Sequence, residues 1–192
     1  MLDLRIQQHF IDSADLQYQA AEPLAKPVEA GVQALMACVT SGGKVLVAGW
    51  GGTAASAPYF ASLFVGGFER ERPELAALAL TAEGAALADE QVLARQVRAL
   101  GHMGDVLMVL TASGEEVALL QAVRAAHERD MTVIALTGKG GGALAKLLRE
   151  TDVHVCVPHD RAARIREVQQ LVLHCLCDGV DAQLLGEQEL SE

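Results

Sequence analysis

One pattern recurs along this 192-residue chain: a short apolar run enters a glycine-rich turn, and a helical segment follows. The apolar runs cover 44–49, 105–111, 131–137 and 152–157, and a weaker one covers 73–81. Continuous runs of Val, Ile and Leu without alternation are typical of strands that are buried on both faces. Because helical segments separate them, the pattern predicts an α/β fold, with a flavodoxin-like, doubly wound parallel sheet of about five strands between two helical layers.

Helical periodicity fills most of the remaining chain. The first 40 residues predict two helices, with Pro23 and Pro27 between them and Gly42 and Gly43 after the second. Further helices are predicted in the segments 53–68, 84–100, 115–129, 143–149 and 165–185. No linker or change in composition divides the chain, so we predict a single domain over residues 1–192.

Charge and composition exclude several classes of protein. The 15 Lys and Arg against 25 Asp and Glu give a net charge of −10, which disfavours direct nucleic-acid binding. Four scattered cysteines show neither disulfide nor zinc spacing. The chain shows no signal-peptide pattern, and glycines interrupt its longest apolar stretch, 34–68. We therefore expect a cytoplasmic protein without a membrane span.

The glycine-rich turns are the first candidates for a binding site. Ligands of parallel sheets bind beyond the carboxyl ends of the strands, and glycine lets backbone amides approach an anion closely. The turns match neither the dinucleotide fingerprint nor a P-loop, so a phosphate and an ordinary chain reversal both remain open. The candidate ligand-binding residues are Gly51, Gly52, Thr53, Thr111, Ser113 and Gly114.

Four stretches carry a resemblance that covers nearly the whole chain in order. Residues 49–56 read Gly-Trp-Gly-Gly-Thr-Ala-Ala-Ser, and the others are 96–107, 130–138 and 157–167, the last running into 174–178. They resemble sugar isomerase (SIS) domains of the phosphoheptose isomerase group, and the last three are most similar to its non-enzymatic branch that associates with the replication initiator DnaA (the DiaA branch). The resemblance implies the SIS fold, a homotetramer, and a role of residues 1–41 in oligomerisation, with 44–192 as the α/β core.

The resemblance also implies where a catalytic metal would be held. In the group, a His and a Glu one helical turn apart, together with a Gln and a His on the last helix, bind the metal. The corresponding positions here are Tyr59, Leu63, Arg166 and His174. Leu cannot ligate a metal and Arg is a permanently charged non-ligand. We therefore expect no metal and no other cofactor, with His174 as a weak catalytic candidate that is otherwise a packed or hydrogen-bonded helix residue.

Acidic residues weaken the phosphate site that the resemblance implies. Glu115 and Glu116 follow Ser113 and Gly114, where the group has Asn and Ser, and two carboxylates there repel a phosphate. The spacing of Ser113 and Glu116 predicts a capping box at the start of the next helix. Trp50 replaces an Asn in the first turn, and its role at the mouth of the pocket stays open.

These replacements lead to a non-catalytic expectation. We expect a DiaA-like oligomeric scaffold that binds a DnaA-like initiator and has weak or vestigial sugar-phosphate binding. Leu184 and Leu185 are the candidate partner-binding residues, because they lie among the acids of the C-terminal tail. Those acids are Asp178, Asp181, Glu187, Glu189 and Glu192.

Two alternatives remain open. The first is a phosphoheptose isomerase, acting on sedoheptulose 7-phosphate, or another phosphosugar isomerase with a rearranged site. For that enzyme, Arg161 and Arg164 are candidate phosphate clamps in a polar cluster with His159 and Asp160 beside the last strand, although the arginines also fit carboxylates of this acidic chain. His102 is expected near the second glycine turn, 111–114. The second is a sugar-phosphate sensor without turnover.

Overall fold

The structure, a computed structural model, describes residues 1–81 and 89–186. Five strands lie where the sequence predicts them: β1 (Val45–Gly49), β2 (Ala77–Leu80), β3 (Val106–Leu110), β4 (Thr132–Gly138) and β5 (Val153–Val157). The helices are α1 (Leu2–Thr40), α2 (Ser56–Gly66), α3 (Val92–Leu100), α4 (Val117–Glu128), α5 (Gly142–Ala145) and α6 (Ala162–Leu185). Short 3₁₀ turns cover Gly51–Thr53 and Lys139–Gly141.

The strands form one parallel sheet in the order β2-β1-β3-β4-β5. The register places Gly49 beside Leu110, and Leu110 beside Leu136. The carboxyl ends of neighbouring strands therefore meet at one edge of the sheet, and the turns that follow them lie side by side. The predicted α/β fold with a doubly wound parallel sheet is confirmed.

Two apolar clusters hold the layers together, one on each face of the sheet. α1, α2 and α6 pack on one face through side chains such as Leu35, Phe60 and Leu176. α3 and α4 pack on the other face through side chains such as Leu93 and Leu119. Every residue of β1 and β3 is buried, because helices cover both sides of these central strands.

The first 40 residues form one helix, so the prediction of two helices is wrong. Pro23 and Pro27 both lie inside α1, although each lacks the N–H that an interior helical residue donates. Pro23 lies on the exposed side, where water can solvate the carbonyl that loses its donor, while Leu16, Ala20 and Leu24 are buried. Packing against α6 and β5 therefore outweighs the local cost of the prolines.

Other helices also differ from prediction in where they begin or end, and α6 begins three residues before the predicted residue 165. α2 begins and ends a few residues inside 53–68. α5 ends at Ala145 rather than near 149, because the N–H of Arg149 donates to Asp152 Oδ2 instead of continuing the helix. α3 begins at Val92, and residues 84–88 of the predicted 84–100 segment lie outside the described residues.

Two buried carboxylates organise the amino-terminal edge of the sheet. Asp105 accepts the backbone N–H of Lys44 (2.9 Å), Lys44 Nζ (2.6 Å) and the backbone N–H of His102 (2.8 Å). Asp152 similarly accepts from Val133 N–H, Arg149 N–H and His127 Nε2. His102 thus lies at the opposite end of β3 from the turn 111–114, so its expected proximity to that turn is wrong.

A buried ion pair joins the end of α6 to the loop before β2. Arg72 Nε donates to Asp181 Oδ1 at 2.5 Å, and neither side chain is more than 2 % exposed. Asp181 therefore neutralises an internal arginine and is not part of an exposed acidic surface, contrary to the prediction for the tail. Asp178 is exposed, while Glu187, Glu189 and Glu192 lie outside the described residues.

All four cysteines are free thiols, as their spacing predicts. Cys38 and Cys177 are buried, and burial raises the pKa of the Cys177 thiol to about 12. Cys175 is exposed on α6. Within the described ranges, none of the helices has the length and apolar character needed to cross a bilayer.

Asp105 gives a test of the hydrogen bonds at the amino-terminal edge of the sheet. Burial alone would raise its pKa, but the hydrogen bonds from Lys44 and His102 outweigh burial and hold the pKa below its ordinary value of 3.8. Its stabilising contribution is therefore complete above about pH 4 and is lost as the pH falls through the lower native pKa. We expect Asp105→Asn to lower the free energy of unfolding by about 2 kcal/mol at pH 7 and by less at pH 3, measured by urea denaturation.

The control for this variant is Asp178→Asn, which changes an exposed carboxylate on α6. It should leave the free energy of unfolding at pH 7 nearly unchanged. An equal loss of stability in the two variants at pH 7 would contradict the role assigned to Asp105.

Candidate functional site

The turn after β1 is held in place by a buried threonine. Thr53 Oγ1 donates to the carbonyl of Leu110 at 2.6 Å and accepts the N–H of Trp50 at 3.2 Å. Thr53 is only 2 % exposed, so its hydroxyl braces the turn against the end of β3. Gly51 and Gly52 remain exposed on the outer side of the turn. Of the three candidate ligand-binding residues here, Gly51 and Gly52 are the accessible ones.

The turn after β3 already binds a carboxylate of the chain itself. Thr111 Oγ1 donates to Glu116 Oε2 at 2.5 Å, and Ser113 Oγ donates to Glu116 Oε1 at 2.8 Å. Thr111 Oγ1 also accepts the N–H groups of Ser113 and Gly114. The predicted capping box is wrong, because Glu116 is itself the N-cap residue of α4 and its side chain accepts from hydroxyls rather than from backbone N–H groups.

The third turn packs directly against the second. Gly114 has a φ of +74°, and a Cβ atom there would collide with the carbonyl of Gly141. Glu115 Oε1 accepts the N–H of Ala143 at 3.0 Å, near the start of α5. The two predicted acids thus have separate structural roles, since Glu116 engages its own turn and Glu115 joins that turn to the next.

α6 lines these turns with polar side chains. The guanidinium of Arg166 lies so close to Gly52 that any Cβ at position 52 would overlap it. Gln169 is 3 % exposed, and its Nε2 donates to the carbonyl of Thr111 at 2.7 Å, while its Oε1 has no hydrogen-bond partner among residues 1–81 and 89–186. Arg166, Gln170 and His174 recur at intervals of four residues and so form one stripe along α6. Sequence analysis missed this stripe, although the spacing was its signal.

The stripe ends at a hydrogen-bonded pair between two helices. The hydroxyl of Tyr59, on α2, lies 2.8 Å from His174 Nε2, and Gln170 Nε2 lies 3.4 Å from the same nitrogen. Phe68 stacks on the imidazole with ring centroids 5.1 Å apart. His174 is therefore hydrogen-bonded and packed, which is the structural role that the sequence predicts for it as an alternative to catalysis. It is nevertheless only half-buried, and Tyr59 is 37 % exposed.

The residues at the four implied ligand positions do not fit a metal ion. Only Tyr59 and His174 could ligate one, and they hydrogen-bond to each other, whereas Leu63 has no donor atom and Arg166 carries a fixed positive charge. No three His, Cys, Asp or Glu side chains within residues 1–81 and 89–186 are grouped so that they could hold a metal. The arrangement supports hydrogen bonding and proton transfer by side chains rather than metal coordination.

Trp50 lines a cavity beside the first glycine turn instead of filling it. The cavity measures about 680 Å³ and is lined by Gly49, Trp50, Gly51, Ala54, Ala55, Pro58, Leu80 and Thr81. None of these described lining residues carries a charge. Neither Arg166 nor the Tyr59–His174 pair is among the lining residues, so the polar stripe of α6 lies outside this cavity.

The arginines that follow β5 have mostly structural contacts. Arg164 donates to the carbonyl of His9 (2.5 Å) and to Glu167 Oε1 (2.6 Å). It therefore binds α1 and a carboxylate of the chain, as the alternative to a phosphate clamp predicts. Arg161 and His159 line a second cavity of about 260 Å³ together with Asp12 and Asp15 of α1. This cavity follows β5, at the edge of the sheet farthest from β2.

Leu184 and Leu185 lie in the last turn of α6 and are 39 % and 40 % exposed. Arg70 Nη1 donates to the carbonyl of Gly186 just beyond them. They are far along α6 from the glycine turns, so the structure does not bring the predicted partner-binding residues together with the predicted ligand-binding residues.

Comparison with known proteins shows the family. A sequence profile of the SIS domain matches residues 8–138. The chain is 58% identical to a phosphoheptose isomerase from Methylibium petroleiphilum over 100% of this chain and 99% of the relative. It is 47% identical to a phosphoheptose isomerase from Dechloromonas aromatica, over 95% and 96% of the two chains.

Solved structures agree with the sequence relatives. The phosphoheptose isomerase from Neisseria gonorrhoeae superposes with a TM-score of 0.88 at 41% identity, covering 95% of this chain and 100% of that one. The phosphoheptose isomerase from Francisella tularensis gives a TM-score of 0.88 at 38% identity, covering 94% and 98%.

These relatives correct one expectation and confirm another. A non-catalytic scaffold for DnaA is wrong as the main function, because the relatives that match along their full length are named as enzymes. The special closeness to the DiaA branch is likewise not what the relatives show. The resemblance to the phosphoheptose isomerase group is confirmed. The chain belongs to the SIS domain family and, within it, to the phosphoheptose isomerases.

Proposed function

We propose that this protein is a phosphoheptose isomerase that interconverts sedoheptulose 7-phosphate and the corresponding aldoheptose 7-phosphate. The observation that carries the proposal is the 58% identity to the Methylibium enzyme, which runs the full length of both chains. The reaction moves a proton between C1 and C2 and needs a phosphate site at the far end of the sugar. It also needs acid and base groups at the reacting carbons.

The phosphate end is assigned to the turns at the carboxyl ends of β1 and β3. Arg166 supplies the positive charge, since it lies against Gly52 and forms no ion pair with a carboxylate in the described part of the chain. The backbone of Gly51 and Gly52 and the hydroxyls of Thr111 and Ser113 add hydrogen-bond donors. Gly114 gives the second turn its shape, and Thr53 positions the first turn rather than contacting the ligand.

The length of the α6 stripe fits a seven-carbon substrate. Arg166 and His174 are eight residues apart, which is about 12 Å along a helix. In a heptose 7-phosphate the phosphate and the reacting C1 and C2 atoms are at opposite ends of the carbon chain. A phosphate held at Arg166 therefore lets C1 and C2 approach the Tyr59–His174 pair, whereas a shorter sugar phosphate falls short of it.

The direct test is turnover. We expect the purified protein to convert sedoheptulose 7-phosphate into an aldose phosphate, followed by NMR of the sugar C1 proton. Ribulose 5-phosphate, which is two carbons shorter, should react with a kcat/KM lower by about tenfold or more, because it cannot reach both ends of the stripe.

Two results would contradict the proposal. One is binding of sedoheptulose 7-phosphate, seen as ligand-dependent thermal stabilisation, without turnover, which would support the sensor alternative. The other is the absence of both binding and turnover.

Glu116 gives a second test, on substrate affinity. Its carboxylate holds the hydroxyls of Thr111 and Ser113 that the phosphate needs. Two negative charges about 4 Å apart repel by about 4 kcal/mol at an effective dielectric constant of 20. We expect Glu116→Gln to lower the KM for sedoheptulose 7-phosphate by about tenfold, measured by steady-state kinetics.

The matched control is Glu128→Gln, which removes a carboxylate that pairs with Arg98 on the surface. It should leave the KM unchanged. A KM that rises in Glu116→Gln would indicate that Glu116 shapes the turn and does not compete with phosphate.

We also propose that the protein assembles into a homotetramer through the first part of α1. Leu2, Leu4, Ile6, Phe10 and Ile11 are each at least 49 % exposed, and a run of large apolar side chains of this kind is rarely left in water. The occupant is a second copy of the same chain, as in most soluble oligomers.

Light scattering coupled to size exclusion tests this assembly. We expect a mass near four times the 20.3 kDa chain, and a smaller species for Phe10→Ser. Met103→Ser, which changes an 80 % exposed side chain in the loop before β3, is the control and should keep the full mass. A monomeric unmodified protein would contradict the assembly.

A further inference from the structure

Tyr59 and His174 form a polar contact that reaches solvent between α2 and α6. The two side chains are 115 residues apart in sequence, and their hydroxyl and imidazole meet at 2.8 Å. Phe68 stacks on the imidazole and the ring of Tyr59 lies tilted against it, so the imidazole plane is restricted by two aromatic contacts. The pair is thus fixed in orientation and yet partly exposed to solvent.

The chemistry of the pair suits proton transfer. A phenol can donate or accept a hydrogen bond, and a neutral imidazole has one nitrogen that can accept a proton. No carboxylate in the described residues forms an ion pair with His174, since the ion-paired histidines there are His102 and His127. The imidazole can therefore gain and lose a proton without breaking an ion pair.

The same two positions are the ones where relatives of this fold are expected to place metal ligands, and the side chains here do not fit a metal. A carbonyl that no metal polarises needs another proton or hydrogen-bond donor on its oxygen. The Tyr59 hydroxyl can supply it, since its partner His174 lies about 12 Å along α6 from Arg166, the arginine assigned to the phosphate.

We propose that Tyr59 and His174 are the catalytic acid and base of a metal-independent sugar-phosphate isomerisation, an inference that rests on the proposed function. When substrate binds, the Tyr59 hydroxyl turns from His174 Nε2 to the C2 carbonyl oxygen. His174 Nε2 takes the proton from C1, the C–H electron pair becomes the C1=C2 double bond, and Tyr59 gives its proton to the C2 oxygen. An enediol, a tyrosinate and an imidazolium result.

The second half of the reaction restores both side chains. The imidazolium delivers its proton to C2, the C1=C2 electron pair forms that new C–H bond, and the C1 hydroxyl returns a proton to the tyrosinate as the aldehyde forms. Atoms and charge balance without any redox partner. Gln170, whose Nε2 lies 3.4 Å from His174 Nε2, is a positioning residue that steadies the imidazole.

The test uses the full-length protein, sedoheptulose 7-phosphate and Tyr59→Phe, which keeps the ring and removes only the hydroxyl. We expect kcat to fall by about 10²-fold or more with little change in KM, the size typical of losing a general acid or base. Tyr18→Phe changes the other tyrosine of the chain, 86 % exposed on α1, and should keep full activity.

His174→Asn tests the base. In D₂O the unmodified enzyme should place deuterium at C2 of the aldose, because the imidazolium exchanges its proton with solvent, and His174→Asn should lose both turnover and deuterium incorporation. His102→Gln is the matched control and should keep both. The double variant Tyr59→Phe/His174→Asn should be no slower than His174→Asn alone, as expected when two groups act as a unit.

Metal dependence separates this inference from the proposed function. We expect EDTA-treated enzyme to retain its kcat and added Zn²⁺ not to raise it. Turnover that EDTA abolishes and Zn²⁺ restores would overturn the metal-independent pair while leaving the isomerase intact. Full activity of Tyr59→Phe, with an unchanged melting temperature to show that it is folded, would also overturn the metal-independent pair and leave the isomerase intact. Inactivity of the unmodified protein would overturn the proposed function itself.

Discussion

The parallel pairing of β1 with β3 is the contact on which the candidate site depends. It sets Gly49 beside Leu110, so that two turns from distant parts of the chain leave the sheet next to each other. Thr53 then joins the turn after β1 to the end of β3 through its hydrogen bond to Leu110, 57 residues away in sequence. Because the central strands are apolar on both faces, a shift in this register would expose core side chains, and the spacing of the two turns is fixed with it.

α6 converts that pair of turns into a site. Along one helix, Arg166 meets the first turn, Gln169 meets the second, and His174 meets α2. The ends of the helix are anchored separately, by Arg164 on α1 and by Asp181 on Arg72. The polar groups of the site are therefore carried by a rigid element, whose position follows from contacts outside the site.

Much of this arrangement could be predicted from sequence because it follows from local patterns. Apolar runs predicted the strands and their places along the chain, and the glycine turns predicted the edge of the sheet at which the candidate site lies. The role of Glu116 could not be read in the same way, since Ser113-x-x-Glu116 fits a capping box, and only the tertiary structure shows its carboxylate bound to two hydroxyls. Asp181 was misread as tail acidity because its partner, Arg72, is 109 residues away.

The step from fold to function failed for a related reason. The replacements at the four implied metal-ligand positions indicated that catalysis was lost, because each residue was judged alone against the role of a metal ligand. Tyr59 and His174 acquire meaning only as a pair across two helices, which no local pattern reports. The prolines of α1 show the converse case, where a strong local signal is overridden by packing along one side of the helix.

The contact between α1 and α6 joins the beginning of the chain to its end. Ser13 Oγ donates to Glu167 across 154 residues, and α1 carries two prolines that weaken it as an isolated helix. During synthesis, α1 emerges before α6, so the part of its buried side that packs on α6 stays uncovered until α6 has formed. The candidate site, to which α6 contributes its polar side chains, therefore forms late in folding, and an apolar helix face stays uncovered while the residues between α1 and α6 are translated.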